Sequence, residues 1–200
     1  MSRRDLSYEL PSLVEYTRQG WQSTCSSAAV VTSLLAAVAA GLLSVIHDVA
    51  NDDDFKQNAN PRALTAVYIT SFGAIILNAS ATITSLLLID ELGDLPDIAS
   101  ADPDKPKAGF VNESQDLLVY YGMKRTWTWT RWHWIISLIL GVWCLFTQVV
   151  IFACISQTKA VKVTVTAVTV FAVLPMCRVF PKFSKIDARS SPSSSKGSEV

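Results

Sequence analysis

Formal charge is missing from this chain in three long blocks, and nothing else in the sequence restricts its fold so strongly. Gln19 to Ile46 carries no charged side chain, 27 uncharged residues separate Arg62 from Asp90, and another 27 separate Arg131 from Lys159. One Asp, Lys or Arg at the centre of a spanning helix costs about 2.5–3.5 kcal/mol, and about 20 apolar residues cross a hydrocarbon core. The blocks therefore predict transmembrane helices at 26–46, 65–89 and 133–156. A lipid solvent also accounts for the composition: 50% of residues are hydrophobic and 17% charged, against about 25% charged in ordinary soluble domains.

A fourth span is predicted at 161–179, although Lys162 stands near its start and Pro175 near its end. Val161 to Thr166 alternates apolar and polar residues with the period of a strand. A lone strand in lipid leaves its backbone groups unpaired, which a helix avoids. Lys162 can extend its aliphatic stem to the interface, and Pro175 falls in the last turn. The expected fold class is all-α: an integral membrane four-helix bundle with a short interfacial helix in the second loop.

The connections follow from these boundaries. Residues 1–25 form a polar N-terminal segment whose acids Asp5, Glu9 and Glu15 argue against a cleavable signal or a transit peptide. Residues 47–64 are a short acidic outer loop with Asp48, Asp52, Asp53 and Asp54, and 157–160 a tight outer turn. In the second loop, 90–132, the Pro- and Asp-rich first half DELGDLPDIASADPDKPK is expected to be extended or irregular. Its second half places Asn112 three residues before Gln115, a start resembling a capping box. A short amphipathic helix is expected near 113–123, with Leu117, Leu118 and Tyr121 on one face. The Ser-rich tail 180–200 is too polar to bury a core and is expected to be disordered.

Lys and Arg are retained on the cytoplasmic side of a membrane. With four spans, one side holds Arg3, Arg4, Arg18, Lys105, Lys107, Lys124, Arg125, Arg131, Arg178, Lys182, Lys185, Arg189 and Lys196, thirteen in all. The other holds four, Lys56, Arg62, Lys159 and Lys162. Both termini and the second loop are thus expected in the cytoplasm. Trp127, Trp129, Trp132 and Trp134 crowd the entrance of the third span, as an interfacial aromatic belt does.

Small residues fall on rows of four: Ala29, Ser33, Ala37 and Gly41 in the first span, and Ala66, Thr70, Ala74, Asn78 and Thr82 in the second. Such ridges let helix backbones approach closely in lipid, so the two spans are expected to pack on them. Asn78 lies mid-span and should face a neighbouring helix, with Gln148 of the third span its natural partner. No carboxylate or Arg lies deep in any span, which removes the usual signature of a proton-coupled pump.

Catalytic material is sparse. The chain holds two histidines, His47 and His133, placed on opposite sides, and no G-x-S-x-G, H-E-x-x-H, P-loop or G-x-G-x-x-G. His47 and the nearby aspartates lack metal-ligand spacing and read as a solvated acidic loop. Cys25, Cys144, Cys154 and Cys177 form no C-x-x-C pair; Cys25 and Cys177, at predicted span ends, are candidates for S-palmitoylation. The paired cysteines of claudin-like proteins, the Cys-Cys-Gly of tetraspanins and the T-V-G-Y-G filter of potassium channels are all absent. With 17 basic and 17 acidic residues, the chain lacks the basic excess that a nucleic-acid binder needs. No catalytic residue, metal or cofactor is expected. The sequence reads as a multi-pass, non-enzymatic scaffold or interaction protein. Its expected partners are the lipid bilayer, copies of itself or other membrane proteins. The alternative is a small transporter or channel subunit lined by polar residues of the second to fourth spans.

Overall fold

A computed structural model describes residues 10–52, 60–100, 117–118, 121–123 and 126–177. The expectations for Asp53, Asp54, Asn112, Gln115 and the 180–200 tail lie outside the described residues, as does the side chain of Cys177. Five helices follow in order: α1 (Ser12–Ala50), α2 (Pro61–Gly93), α3 (Leu95–Ser100), α4 (Thr126–Ser156) and α5 (Lys159–Cys177). Every regular element among the described residues is helical. α1, α2 with its continuation α3, and α4 are long and apolar enough to cross a membrane.

Helix extends past the predicted span boundaries in two segments. α1 begins at Ser12, inside the polar N-terminal stretch, where Glu15 sits favourably in the first turn and is gripped by Arg18 at 2.7 and 2.9 Å. At about 1.5 Å per residue its 39 residues reach about 58 Å, well beyond the ~30 Å hydrocarbon core. The second correction concerns Asp90 to Ser100, expected to be irregular. α2 runs on to Gly93, and after a bend at Asp94 the chain re-enters a helix at Leu95. Pro96 is no obstacle there, because the first turn of a helix needs no backbone donor from it. α2 itself starts on Asn60, whose side chain accepts a 3.0 Å bond from the Arg62 N–H, with Pro61 at the first helical position.

The chain divides into two compact units, Met1–Gln148 and Val149–Val200. In the second, α5 is a helix through the Val161 to Thr166 alternation, with Thr164 and Thr166 hydroxyls donating to carbonyls four residues back. Val163, Val168, Val170, Phe171 and Leu174 are largely exposed.

In the first unit, α1, α2 and α4 form a three-helix bundle. α2 runs antiparallel to both others, since Thr32 meets Thr82, Asn78 meets Gly141, and Trp21 meets Trp127. Buried positions recur every seven residues on each helix: Cys25, Thr32, Ala39 and Ile46 on α1; Val67, Ala74, Ala81 and Leu88 on α2, interleaved with Ser71, Asn78, Ser85 and Leu92. On α4 the positions are Trp127, Trp134, Gly141 and Gln148. This is a period of 3.5, the repeat of left-handed coiled packing.

That period corrects the packing rows read from the sequence. A row of four advances 40° per step around the helix, so it cannot stay on a 3.5-residue seam. On α1 the row leaves the interface after Ala29: Ser33, Ala37 and Gly41 are exposed, and Thr32 and Ala39 take the seam. On α2 Ala74 and Asn78 are buried, whereas Ala66, Thr70 and Thr82 are half-buried at its edge.

The bundle core is uneven. At one end Val14, Cys25, Leu88, Leu92, Leu95, Ala99, Trp127 and Trp134 pack with Leu117, Leu118, Tyr121 and Met123 of the second loop. Gly122, at φ 111°, turns the chain there, and Met123 N–H bonds Leu118 C=O at 3.1 Å, as in a Schellman-type close. Farther along, the core narrows to Ala39, Ala74 and Leu145.

Candidate functional site: a buried polar seam

The heptad that faces α4 from α2 carries Ser71, Asn78 and Ser85, and the heptad that answers from α4 carries Gln148, Gly141 and Trp134. Antiparallel register pairs them by level: Asn78 stands against Gly141, and one repeat to either side brings Ser71 level with Gln148 and Ser85 level with Trp134. Gly141 leaves room for the Asn78 side chain, which would have to shift to admit a larger residue. A Cβ at that position would lie 2.9 Å from both Cγ and Nδ2 of Asn78.

Hydroxyls on the seam are satisfied within their own helix: Ser71 donates to Val67 C=O at 2.7 Å and Ser85 to Ala81 C=O at 2.8 Å. The amides are not. Asn78 Nδ2 donates to Ala74 C=O at 2.7 Å, but Oδ1 has no partner, and Gln148 has none for either Oε1 or Nε2. Trp134 Nε1 is also unpartnered. Asn78 and Gln148 are both 0% exposed. The sequence singled out both amides, but not their relation: Gln148 does not bond Asn78, because it sits a full repeat beyond Gly141.

The α1–α2 side contrasts with this. Thr32 and Thr82 hydroxyls lie 2.7 Å apart, and each also bonds a carbonyl of its own helix. Thr84 donates to Ser80 C=O at 2.7 Å and comes within 3.5 Å of His133 Nδ1, a residue on the outward part of α4.

The tryptophan cluster divides by helix face. Trp127 is 1% exposed and Trp134 is buried, whereas Trp129 is 76% exposed and Trp132 intermediate. Sequence reasoning missed Trp21, whose ring meets Trp127 edge-on at 6.0 Å and lies 5.9 Å beneath the Arg131 guanidinium. The signal for Trp21 was its place four residues before Cys25, on the same face.

Cys25, a candidate for acylation, is fully buried, so the folded protein does not present its thiol to a reagent or an enzyme. Cys154 is exposed. His47 Nδ1 lies 3.1 Å from Asn51 Nδ2, and among the described residues no three His, Cys, Asp or Glu side chains gather around a point where a metal could sit. No protein-family model, curated protein or solved structure matches the chain.

Proposed function

We propose that this chain is a four-span integral membrane protein, with both termini and the second loop cytoplasmic, that acts by assembling with other membrane proteins or with its own copies. α5 supplies the fourth span: its 19 residues are predominantly apolar, near the lower limit of length for crossing a hydrocarbon core. The thirteen-to-four distribution of Lys and Arg supports the orientation.

One observation carries the preference for assembly over conduction. The two intramembrane carboxamides are sealed: Asn78 and Gln148 expose no surface to a water-sized sphere. A path for solute lined by these residues requires such a surface. Outward, α1 presents Val30, Leu34 and Val38 and α2 presents Ile69, Ile76 and Ile83, surfaces for lipid or for a neighbouring helix.

Reconstituted protein tests this reading directly. Liposomes carrying it are expected to pass small solutes no faster than empty ones, while native-nanodisc extraction is expected to yield particles larger than one chain. Solute movement that disappears in Asn78→Leu, together with single-chain particles, would replace assembly by conduction. The conduction reading draws its support from the unpartnered amide atoms of Asn78 and Gln148.

A further inference from the structure

The two faces of α2 differ in how their polar groups are satisfied. Toward α1, Thr32 and Thr82 complete one another. Toward α4, four polar atoms on Asn78, Gln148 and Trp134 lack partners. Reversing the Asn78 amide does not help, because its oxygen would then face the Ala74 carbonyl. Both carboxamides are wholly inaccessible, so no water-sized space adjoins them in this arrangement. Such atoms gain partners only if the seam opens to water.

Packing along the seam is graded in a way that localises the opening. Trp127, Leu92, Leu88 and Trp134 fill one end. Toward Gln148 the facing residues are Gly141, Gly73, Ala74 and Ser71, which offer few atoms for dispersion contacts.

We propose that α4 parts from α2 at the Gln148 end while the Trp127 end stays packed as the hinge, so that the seam is a crevice in equilibrium between a dry and a hydrated arrangement. Residues 67–85 and 134–148 contain no charged side chain. The open crevice therefore takes water or a neutral hydrogen-bonding group, not an ion. Its opening is separate from the question of whether the protein assembles or conducts: water reaching Asn78 from one side of the membrane moves no solute across it.

Cys144 is a reporter already in place. It is half-buried, and its Sγ lies 3.4 Å from where a Cβ on Gly73 would stand. Full-length protein carrying Cys154→Ser and Cys177→Ser is reconstituted in liposomes and treated with a small, neutral, water-soluble methanethiosulfonate such as the hydroxyethyl reagent. Modification is read by mass spectrometry of the Cys144 peptide, with buried Cys25 as the internal measure of folding. Cys144 is expected to react, and the pair Asn78→Leu with Gln148→Met, which removes the unpartnered amides at similar volume, is expected to slow the reaction about tenfold. Gly141→Ala is expected to speed it, because the added methyl presses on Asn78. If Gly141→Ala exposes Cys25, that variant has unfolded and the Asn78/Gln148 pair alone decides. An inert Cys144, or equal rates with and without the amides, would overturn the proposal.

Discussion

Trp127 and Trp129 stand two residues apart in WTWTRWHW and have opposite surroundings, so truncating each in turn measures what the folded core contributes. Trp127 is 1% exposed, edge-on to Trp21 at 6.0 Å and at 85°, and packed in the same cluster as Leu92, Tyr121 and Met123. Trp→Ala at a site of this kind costs about 3–5 kcal/mol, and the aromatic pair adds about 0.5–1.5 kcal/mol. The Arg131 guanidinium over Trp21 also loses part of its support. At about 2–4 °C per kcal/mol for a chain of this size, the combined loss of about 3.5–6.5 kcal/mol means that Trp127→Ala should lower the melting temperature by roughly 7–26 °C. Trp129, 76% exposed, should stay within about 0.5 kcal/mol of the parent when changed to Ala, a shift of about 2 °C or less. In a background carrying Cys144→Ser, Cys154→Ser and Cys177→Ser, a thiol-reactive coumarin dye in detergent gives the melting curve, because Cys25 is buried in the cluster and reacts only on unfolding. Equal melting temperatures for the two variants, or a larger loss from Trp129→Ala, would refute the division of the cluster into core and surface.

Three further outcomes are expected. Ala39→Leu, on the seam, should destabilise by about 1–3 kcal/mol through overpacking, while Ala37→Leu, exposed two residues away, should be nearly neutral; chemical unfolding in detergent separates them. Folded protein treated with N-ethylmaleimide at pH 7 should carry label on Cys154 and none on Cys25, whose side chain is buried; label on Cys25 at native conditions would contradict that burial. Asn112-Glu113-Ser114 is a glycan acceptor, and with a cytoplasmic second loop the chain should show no mobility shift on peptide-N-glycosidase treatment. A shift abolished by Asn112→Gln would invert the orientation.

Helices on this scale are legible in sequence because charge is so costly in hydrocarbon that its absence marks the spans. The exact face each helix buries is not, and the reason is specific. Ala29, Ser33, Ala37 and Gly41 are spaced as a packing ridge, but so are Cys25, Ala29, Thr32 and Ala39 when steps of three and four are mixed, and composition alone cannot choose. The choice was made by the partner: Leu88, Ala81, Ala74 and Val67 on α2 repeat every seven residues, and only a seven-residue repeat on α1 can follow them. Asn78 and Gln148 were identifiable as buried from depth and polarity. That Gly141 rather than Gln148 confronts Asn78 depends on the register of two antiparallel helices joined by a long connection, which local patterns do not encode. The second loop misled for a related reason: Pro96 and the surrounding aspartates break helices in isolation, but Leu95 and Ala99 lie in the core, and that burial stabilises the turn.

A seven-residue repeat shared by three helices also limits how the chain can change length. Removing one residue from the middle of α2, say at Ala79, would turn everything beyond it by about 100° relative to everything before. Ser71 and Asn78 would keep their orientation while Ser85 and Leu92 swung out toward lipid. Deleting a whole repeat would restore the phase but slide α2 by about 10 Å, so that Thr82 no longer met Thr32 and Asn78 or Gly141 lost the other. The bundle is therefore incompressible along its axis: insertions and deletions belong outside α1, α2 and α4, and related chains that differ in length should differ there.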